Sequence, residues 1–150
     1  MSGLTPLIVG NWKMNGLRSA IAQVTELGER LKQTPHRAEV AICPPATLLA
    51  ALSAAAAPYG IGTGGQDCHF RVKGPHTGDI SAQMLADAGA SFAIAGHSER
   101  RADHTETDAL VRAKAEAAID AGLVPIICVG ETEAERQHGS AIDVVARQLI

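Results

Sequence analysis

The chain has 150 residues, which suffices for one domain with a hydrophobic core and is too short for two. Its 13 basic and 16 acidic residues give a net charge of −3 without a long run of one sign. This argues against nucleic acid as a partner, because phosphate backbones bind basic surfaces. The start of the chain lacks the pattern of a signal peptide, and the apolar stretch 48–57 is too short to span a bilayer. The three cysteines, an odd number, fit free thiols in a reducing compartment, so we expect a cytoplasmic protein that contacts no membrane.

Short apolar runs alternate with helical periodicities along the first half of the chain. Three buried strands are predicted, over Leu7–Val9, over Val40–Cys43 and from Ile61 onward. Apolar residues at helical spacing predict a helix from Leu17 to Leu31, and an alanine-rich segment predicts a second helix that ends at Ala57.

The alternation continues through the second half. The predicted elements there are a helix over Ser81–Ala88, a strand over Phe92–Ala95, a helix over Glu106–Ala121, a strand over Val124–Val129, a helix from Thr132 and a helical pattern over 143–150. Thr105 and Asp108 resemble a capping pair at the start of the helix over Glu106–Ala121, and Thr132 is followed three residues on by Glu135.

The spacing and composition of the strands predict an α/β domain. The strands begin mostly about thirty residues apart, as repeated βα units do. Each strand is short and continuously apolar, which favours a parallel sheet covered by helices. The last helical pattern has no cap, so we expect the chain to stop inside a larger architecture.

Polar residues directly follow the first and the fourth predicted strands. Asn11 and Lys13 suit an anionic substrate, with a point charge for phosphate and an amide for an oxygen atom, although a solvated loop also accommodates them. His97 is followed by four polar residues at a strand exit, where α/β proteins display catalytic groups. Backbone donors at a helix start favour its neutral ring, which can donate a hydrogen bond to a carbonyl.

Two other patterns favour structural explanations. The segment 60–65 contains G-x-G-x-x-G, but no clear strand precedes it and no amphipathic helix follows, so a glycine-rich strand in a crowded sheet is predicted. Cys68, His69 and His76 lack zinc-ligand spacing, so no metal is predicted. The loop 74–79 is shaped by two glycines and a proline and is either a docking loop or an ordered surface turn.

Three motifs occur at the exits of the first, fourth and fifth strands, namely Gly10–Asn15, Ala95–Arg101 and Cys128–Thr132. In sequence, order and spacing they resemble the triosephosphate isomerase family, and the likeness covers the whole chain. The resemblance implies the (β/α)8 TIM barrel. Residues 1–150 would form the N-terminal part of that single domain, roughly from the first strand to the fifth helix.

The resemblance also implies roles for individual residues. Lys13 would neutralise the substrate phosphate and the developing enediolate, Asn11 would line the same site, and His97 would polarise the carbonyl and shuttle a proton. The implied reaction interconverts dihydroxyacetone phosphate and glyceraldehyde 3-phosphate without a cofactor. The family's base is a glutamate after the sixth strand, which residues 1–150 do not match, so we expect this chain to be truncated and inactive by itself.

A homodimer is implied for the full-length form. In the family the third loop enters a neighbouring subunit, with its threonine near the partner's catalytic lysine and its acid facing an arginine. Thr77 matches the threonine, Asp79 stands where glutamate is usual, and Arg100 is the arginine. His76 departs from the usual aromatic residue.

Two alternatives remain open. One is a non-catalytic βα fragment that serves folding, association or ligand binding. The other is a different phosphate-binding α/β domain, such as a flavodoxin-like one, for which five βα units suffice. That second fold requires a phosphate loop after the first strand, and Trp12-Lys13-Met14 is a poor one.

Overall fold

The computed structural model describes residues 3–149, in which five parallel strands form one sheet in the order β1-β2-β3-β4-β5. The strands are β1 (Leu7–Asn11), β2 (Glu39–Cys43), β3 (Gly62–Gly65), β4 (Phe92–Ala95) and β5 (Val124–Ile127). Each strand pairs with the next one in the chain. In the β1–β2 pair Leu7 lies opposite Glu39, and in the β4–β5 pair Phe92 lies opposite Val124. This consecutive order is that of an arc of a βα barrel. It excludes the flavodoxin-like alternative, whose sheet order is 2-1-3-4-5.

Helices follow the strands and cover the sheet. They are α1 (Ile21–Gln33), α2 (Ala46–Ala56), α3 (Ala82–Asp87), α4 (Ser98–Asp103), α5 (Asp108–Asp120), α6 (Glu133–Gln137) and α7 (Ala141–Gln148). Short 3-10 turns lie at Arg18–Ala20 and Ala57–Tyr59. Among the described residues, no helix combines the length and the apolar character needed to cross a membrane.

The predicted cap of α5 is wrong. Thr107 is the N-cap residue, since its hydroxyl accepts a hydrogen bond from the Leu110 N–H at 3.2 Å. Thr105 instead lies in a left-handed turn with φ of 52°. The threonines are two residues apart, and only the course of the chain decides which one is at the helix start. By contrast, the capping box of Thr132 and Glu135 is confirmed.

The sequence indicated a helix start at His97 but not the extent of α4, because its six residues are mostly charged and have no apolar periodicity. The last strand is shorter than expected and ends at Ile127. Since α4 begins at the residue after His97, it determines the orientation of that histidine.

The core consists of two apolar clusters between the sheet and the helices. One includes Leu49 of α2 and Leu85 of α3. The other includes Val24 of α1. On the edge strands apolar side chains remain open to solvent, with Ile8 at 60 % and Val124 at 55 % exposure.

The glycine-rich segment forms strand β3, as predicted. A Cβ atom on Gly64 would lie 2.7 Å from Cys43 Sγ, and one on Gly65 would lie 2.4 Å from Leu85 Cδ1. These distances are too short for real contacts, so the glycines are required by close packing and no dinucleotide motif is needed to explain them.

Candidate functional site

A cavity of about 280 Å³ opens where strands β1, β3 and β4 end. Asn11 is the last residue of β1, Lys13 follows it, and His97 follows β4. All three residues line the cavity, together with Gln66 and Glu99. The structure therefore brings together the residues that the sequence proposed for substrate binding and catalysis.

The backbone of Lys13 adopts an unusual conformation that side chains hold in place. Its φ is 54°, in the left-handed region that residues with a Cβ atom rarely occupy. Its N–H donates to Asn11 Oδ1 at 2.9 Å. Its carbonyl accepts a hydrogen bond from Gln66 Nε2 at 2.9 Å. Strained backbone of this kind is found mostly at functional sites.

The ammonium group of Lys13 contacts Glu99, a residue to which the sequence assigned no role. Lys13 Nζ lies 2.8 Å from Glu99 Oε1, and both side chains are about half exposed, at 54 % and 53 %. The hydrogen bond from Lys13 lowers the pKa of the Glu99 carboxyl, and this effect exceeds the opposing effect of partial desolvation. Glu99 is therefore ionised at neutral pH and balances the charge of Lys13.

His97 is fixed by the start of α4. It is the N-cap residue, and its Nδ1 accepts a hydrogen bond from the Glu99 N–H at 3.3 Å. A neutral imidazole that accepts at Nδ1 carries its proton on Nε2. The ring is 22 % exposed, and Glu99 Oε2 lies 3.5 Å from Nδ1. In this arrangement the hydrogen-bond donor of the His97 ring is therefore Nε2.

A cluster of four charged residues lies beside the cavity. Arg100 and Lys114 are each bonded to both Asp67 and Glu106, with Arg100 Nε 2.7 Å from Glu106 Oε1 and Lys114 Nζ 2.7 Å from Asp67 Oδ1. The side chains of Glu106 and Lys114 are only 2 % and 6 % exposed. Because Arg100 belongs to α4, the cluster ties that helix to α5 and to the end of β3.

The two carboxyls of this cluster have opposite pKa shifts. Burial raises the pKa of Glu106, but hydrogen bonds from Lys114 and Arg100 outweigh burial and the net pKa is lowered. Burial also raises the pKa of Asp67, and there Lys114 and Arg100 offset only part of the effect. Glu106 is consequently the more firmly ionised member of the pair.

Of the residues expected at a subunit interface, Thr77 and Asp79 are exposed, whereas Arg100 is partly buried. Thr77 is exposed in the loop after β3. Asp79 Oδ2 lies 3.8 Å from His69 Nε2. The Arg100 side chain is held by Asp67 and Glu106, so its guanidinium is already ion-paired within one chain.

His69, His76 and Asp79 each place a potential metal-ligating atom within 4.8 Å of the others. However, His69 Nδ1 accepts a hydrogen bond from the Arg71 N–H at 3.0 Å. The neutral ring therefore carries its proton on Nε2, the atom that faces Asp79, and has no free lone pair there for a metal. The rings of His69 and His76 also stack, with centroids 4.1 Å apart.

Sequence reasoning missed Glu99 and Gln66 as parts of the site. Gln66 directly follows β3, so the rule that picked out Lys13 and His97, polar residues at a strand exit, also applies to it. Glu99 belongs to the same polar run as His97. What the sequence lacked was a reason to connect either residue with Lys13.

The fold and the site define a class of protein, a βα-barrel protein with a lysine and a histidine in a cavity at the carboxyl ends of its strands. The sequence model of the family described as triosephosphate isomerase matches residues 6–150. The chain belongs to the triosephosphate isomerase family.

Individual relatives agree with the family match. The chain is 57 % identical over 146 residues to triosephosphate isomerase of Afipia carboxidovorans, covering 97 % of this chain and 58 % of the relative. It is 54 % identical over 152 residues to that of Rhodopseudomonas palustris, covering 99 % and 59 %. The crystal structure of triosephosphate isomerase from Bartonella henselae superposes with a TM-score of 0.89 at 49 % identity, covering 97 % of this chain and 60 % of that one. The chain thus spans about three fifths of the length of these relatives.

Proposed function

We propose that the protein to which this chain belongs isomerises triose phosphates, interconverting dihydroxyacetone phosphate and D-glyceraldehyde 3-phosphate through an enediolate. The observation that carries the proposal is the convergence of Asn11, Lys13 and His97 on one cavity at the strand ends. The family of the chain supports it. Such a protein acts in glycolysis and gluconeogenesis in the cytoplasm.

The proposed chemistry assigns one task to each group. The Lys13 ammonium attracts the substrate phosphate and, after proton abstraction, the negative enediolate oxygen. Asn11 lines the same side of the cavity and fixes the Lys13 N–H. His97 donates its Nε2 hydrogen to the carbonyl oxygen, which makes the neighbouring carbon more acidic. It then carries a proton from one oxygen of the enediolate to the other. The carbon proton goes to a base and is returned to the adjacent carbon, so no cofactor is consumed.

We further propose that residues 1–150 alone do not catalyse this reaction. Three carboxyl side chains line the cavity, those of Asp67, Glu99 and Asp103. Asp103 is exposed at the end of α4, whereas Glu99 is ion-paired with Lys13 and Asp67 with Arg100 and Lys114. Neither of the two ion-paired carboxylates is free to accept a carbon proton. The base would belong to the portion of the family's length that this chain does not span.

Isomerase assays on the native protein and on the 150-residue chain test both statements. His97→Gln is expected to lower kcat about 10²–10⁴-fold, the usual contribution of a general acid or base. The matched control is His36→Gln, because His36 is exposed before β2, at the opposite end of the strands, and its loss is expected to leave kcat unchanged. A native protein without isomerase activity would support the alternative of a non-catalytic βα protein. Family-like turnover by residues 1–150 alone would refute their inactivity.

We also propose that the full-length protein is a homodimer in which Thr77 and Asp79 of one subunit meet the other, with Asp79 near Arg100. The exposure of Thr77 and Asp79 on a loop shaped by Gly74 and Gly78, both with positive φ, supports this. Thr77→Arg is expected to give monomers in sedimentation velocity, while a variant that stays dimeric would contradict the proposal.

A further inference from the structure

The side chain of Gln66 connects the carboxyl ends of three neighbouring strands. Gln66 follows β3, and its Nε2 donates to the carbonyl of Lys13 after β1, at 2.9 Å, and to the carbonyl of Cys43 at the end of β2, at 2.8 Å. An amide nitrogen has two hydrogens, so both donors are used. The Cys43 carbonyl also accepts the Trp12 N–H at 3.0 Å, which joins the two contacts into one unit.

This unit holds the strained segment of the site. A residue with a Cβ atom at φ of 54° returns to an ordinary conformation unless its neighbours prevent it. On the N–H side Lys13 is held by Asn11 Oδ1, and on the carbonyl side it is held by Gln66. The backbone conformation in turn fixes the direction in which the Lys13 side chain leaves the chain toward Glu99 and the cavity.

We propose that Gln66 is a positioning residue for catalysis, which keeps the Lys13 backbone left-handed so that the ammonium meets the substrate anion. The proposal rests on the isomerase function proposed above. Gln66 acts through Lys13, by its two amide hydrogens, and needs no contact of its own with the reacting atoms.

Two variants of the native protein remove the donors and keep the length of the side chain. Gln66→Met is neutral, and Gln66→Glu replaces both donors by acceptors. Each is expected to lower kcat/KM about 10–100-fold, which is the loss that a small misplacement of a catalytic group causes. Each is also expected to raise KM for dihydroxyacetone phosphate. The matched control is Gln23→Glu on the exposed face of α1, which is expected to leave both constants unchanged. A purely structural role would lower the folded fraction and leave KM as it was.

A double-mutant cycle with Lys13→Ala tests whether the effect passes through Lys13. In that background Gln66→Met is expected to change kcat/KM less than about twofold, because the group that it positions is gone. An additional fall of tenfold or more would show that Gln66 acts independently and would overturn the proposal.

Hydrogen exchange separates this inference from the proposed function. The amides of residues 11–15 are expected to exchange at least about tenfold faster in Gln66→Met than in the native protein, and at the native rate in Gln23→Glu. Unchanged exchange in Gln66→Met overturns the inference even if the protein is an isomerase. A native protein that does not isomerise triose phosphates overturns the proposed function, and the exchange result then still decides the role of Gln66.

Discussion

Replacing Glu106 by glutamine tests whether the buried charge cluster stabilises the fold around the site. In the native protein two carboxylates, Glu106 and Asp67, balance two cations, Arg100 and Lys114. Glu106→Gln keeps the shape of the side chain and removes one negative charge. Lys114, whose side chain is 6 % exposed, then shares its remaining carboxylate with Arg100.

The expected loss follows from the distances and the burial. With an effective dielectric constant of about 20, opposite unit charges at the 2.7 Å between Arg100 Nε and Glu106 Oε1 attract each other by about 6 kcal/mol. Desolvation offsets much of this when the pair forms, but removing Glu106 leaves two cations, one of them buried, to share the single carboxylate of Asp67, which costs about 3–5 kcal/mol. We expect Glu106→Gln to lower the free energy of unfolding by that amount.

Urea unfolding of the native protein and its variants measures this loss. The control is Glu26→Gln, which breaks the pair with Arg30, whose side chains are 65 % and 75 % exposed. That change is expected to cost at most about 0.5 kcal/mol. A loss below about 1 kcal/mol for Glu106→Gln, with an unchanged denaturant slope, would refute the reasoning that the cluster depends on this charge.

The stability difference between the native protein and Glu106→Gln is also expected to depend on pH. Because the pKa of Glu106 is lowered in the folded state, its contribution to stability is present above its unfolded pKa, about 4.3, and is lost as the pH falls through the lower folded value. The stability difference between the native protein and Glu106→Gln should therefore shrink below about pH 4. A difference that grows with acidification would contradict the sign of the shift.

Three further predictions concern strain, packing and thiols. Thr105→Asn should raise the free energy of unfolding by about 1 kcal/mol, because asparagine tolerates the left-handed φ of 52° better than a β-branched residue, and a lower urea midpoint would contradict this. Gly28→Ala should cost about 1–3 kcal/mol, since the new Cβ would lie 2.2 Å from Tyr59 Cγ. Adding Tyr59→Ala should abolish that overpacking cost, whereas an unchanged penalty would exclude the clash as its cause. Burial raises the pKa of Cys43 to about 12, so iodoacetamide at pH 8 should modify half-buried Cys128 first, and Cys43 only in denaturant, by mass spectrometry of the peptides.

Local patterns predicted most of the secondary structure. The strands over 40–43 and 92–95 are apolar runs, and the helix from Leu17 has an apolar stripe, so their types follow from periodicity alone. The helix α4 has no such stripe and exists because His97 caps it and its arginines are held by other elements. The choice of Thr107 over Thr105 as a cap depends in the same way on where the chain turns.

The residues of the candidate site also fall into two groups, those with a local sequence signal and those that only long-range contacts bring together. Asn11, Lys13 and His97 could be found from the sequence because each directly follows a strand, and that is a local signal. Gln66 reaches Lys13 across 53 residues, and Lys114 reaches Asp67 across 47. Such contacts depend on which strands are neighbours and in what register, and no local pattern specifies that.

The sequence by itself determined that this protein is built of βα units and which polar residues stand at the strand exits, because hydrophobic periodicity and turn residues act over a few positions. Only the tertiary structure decided the consecutive order of the strands, the contact of Lys13 with Glu99 and the support of Lys13 by Gln66. Parallel pairing brings the carboxyl ends of adjacent strands to one edge of the sheet, so residues far apart in the chain become neighbours there. The strained backbone of Lys13 belongs to this second group, since it persists only where several strands hold it.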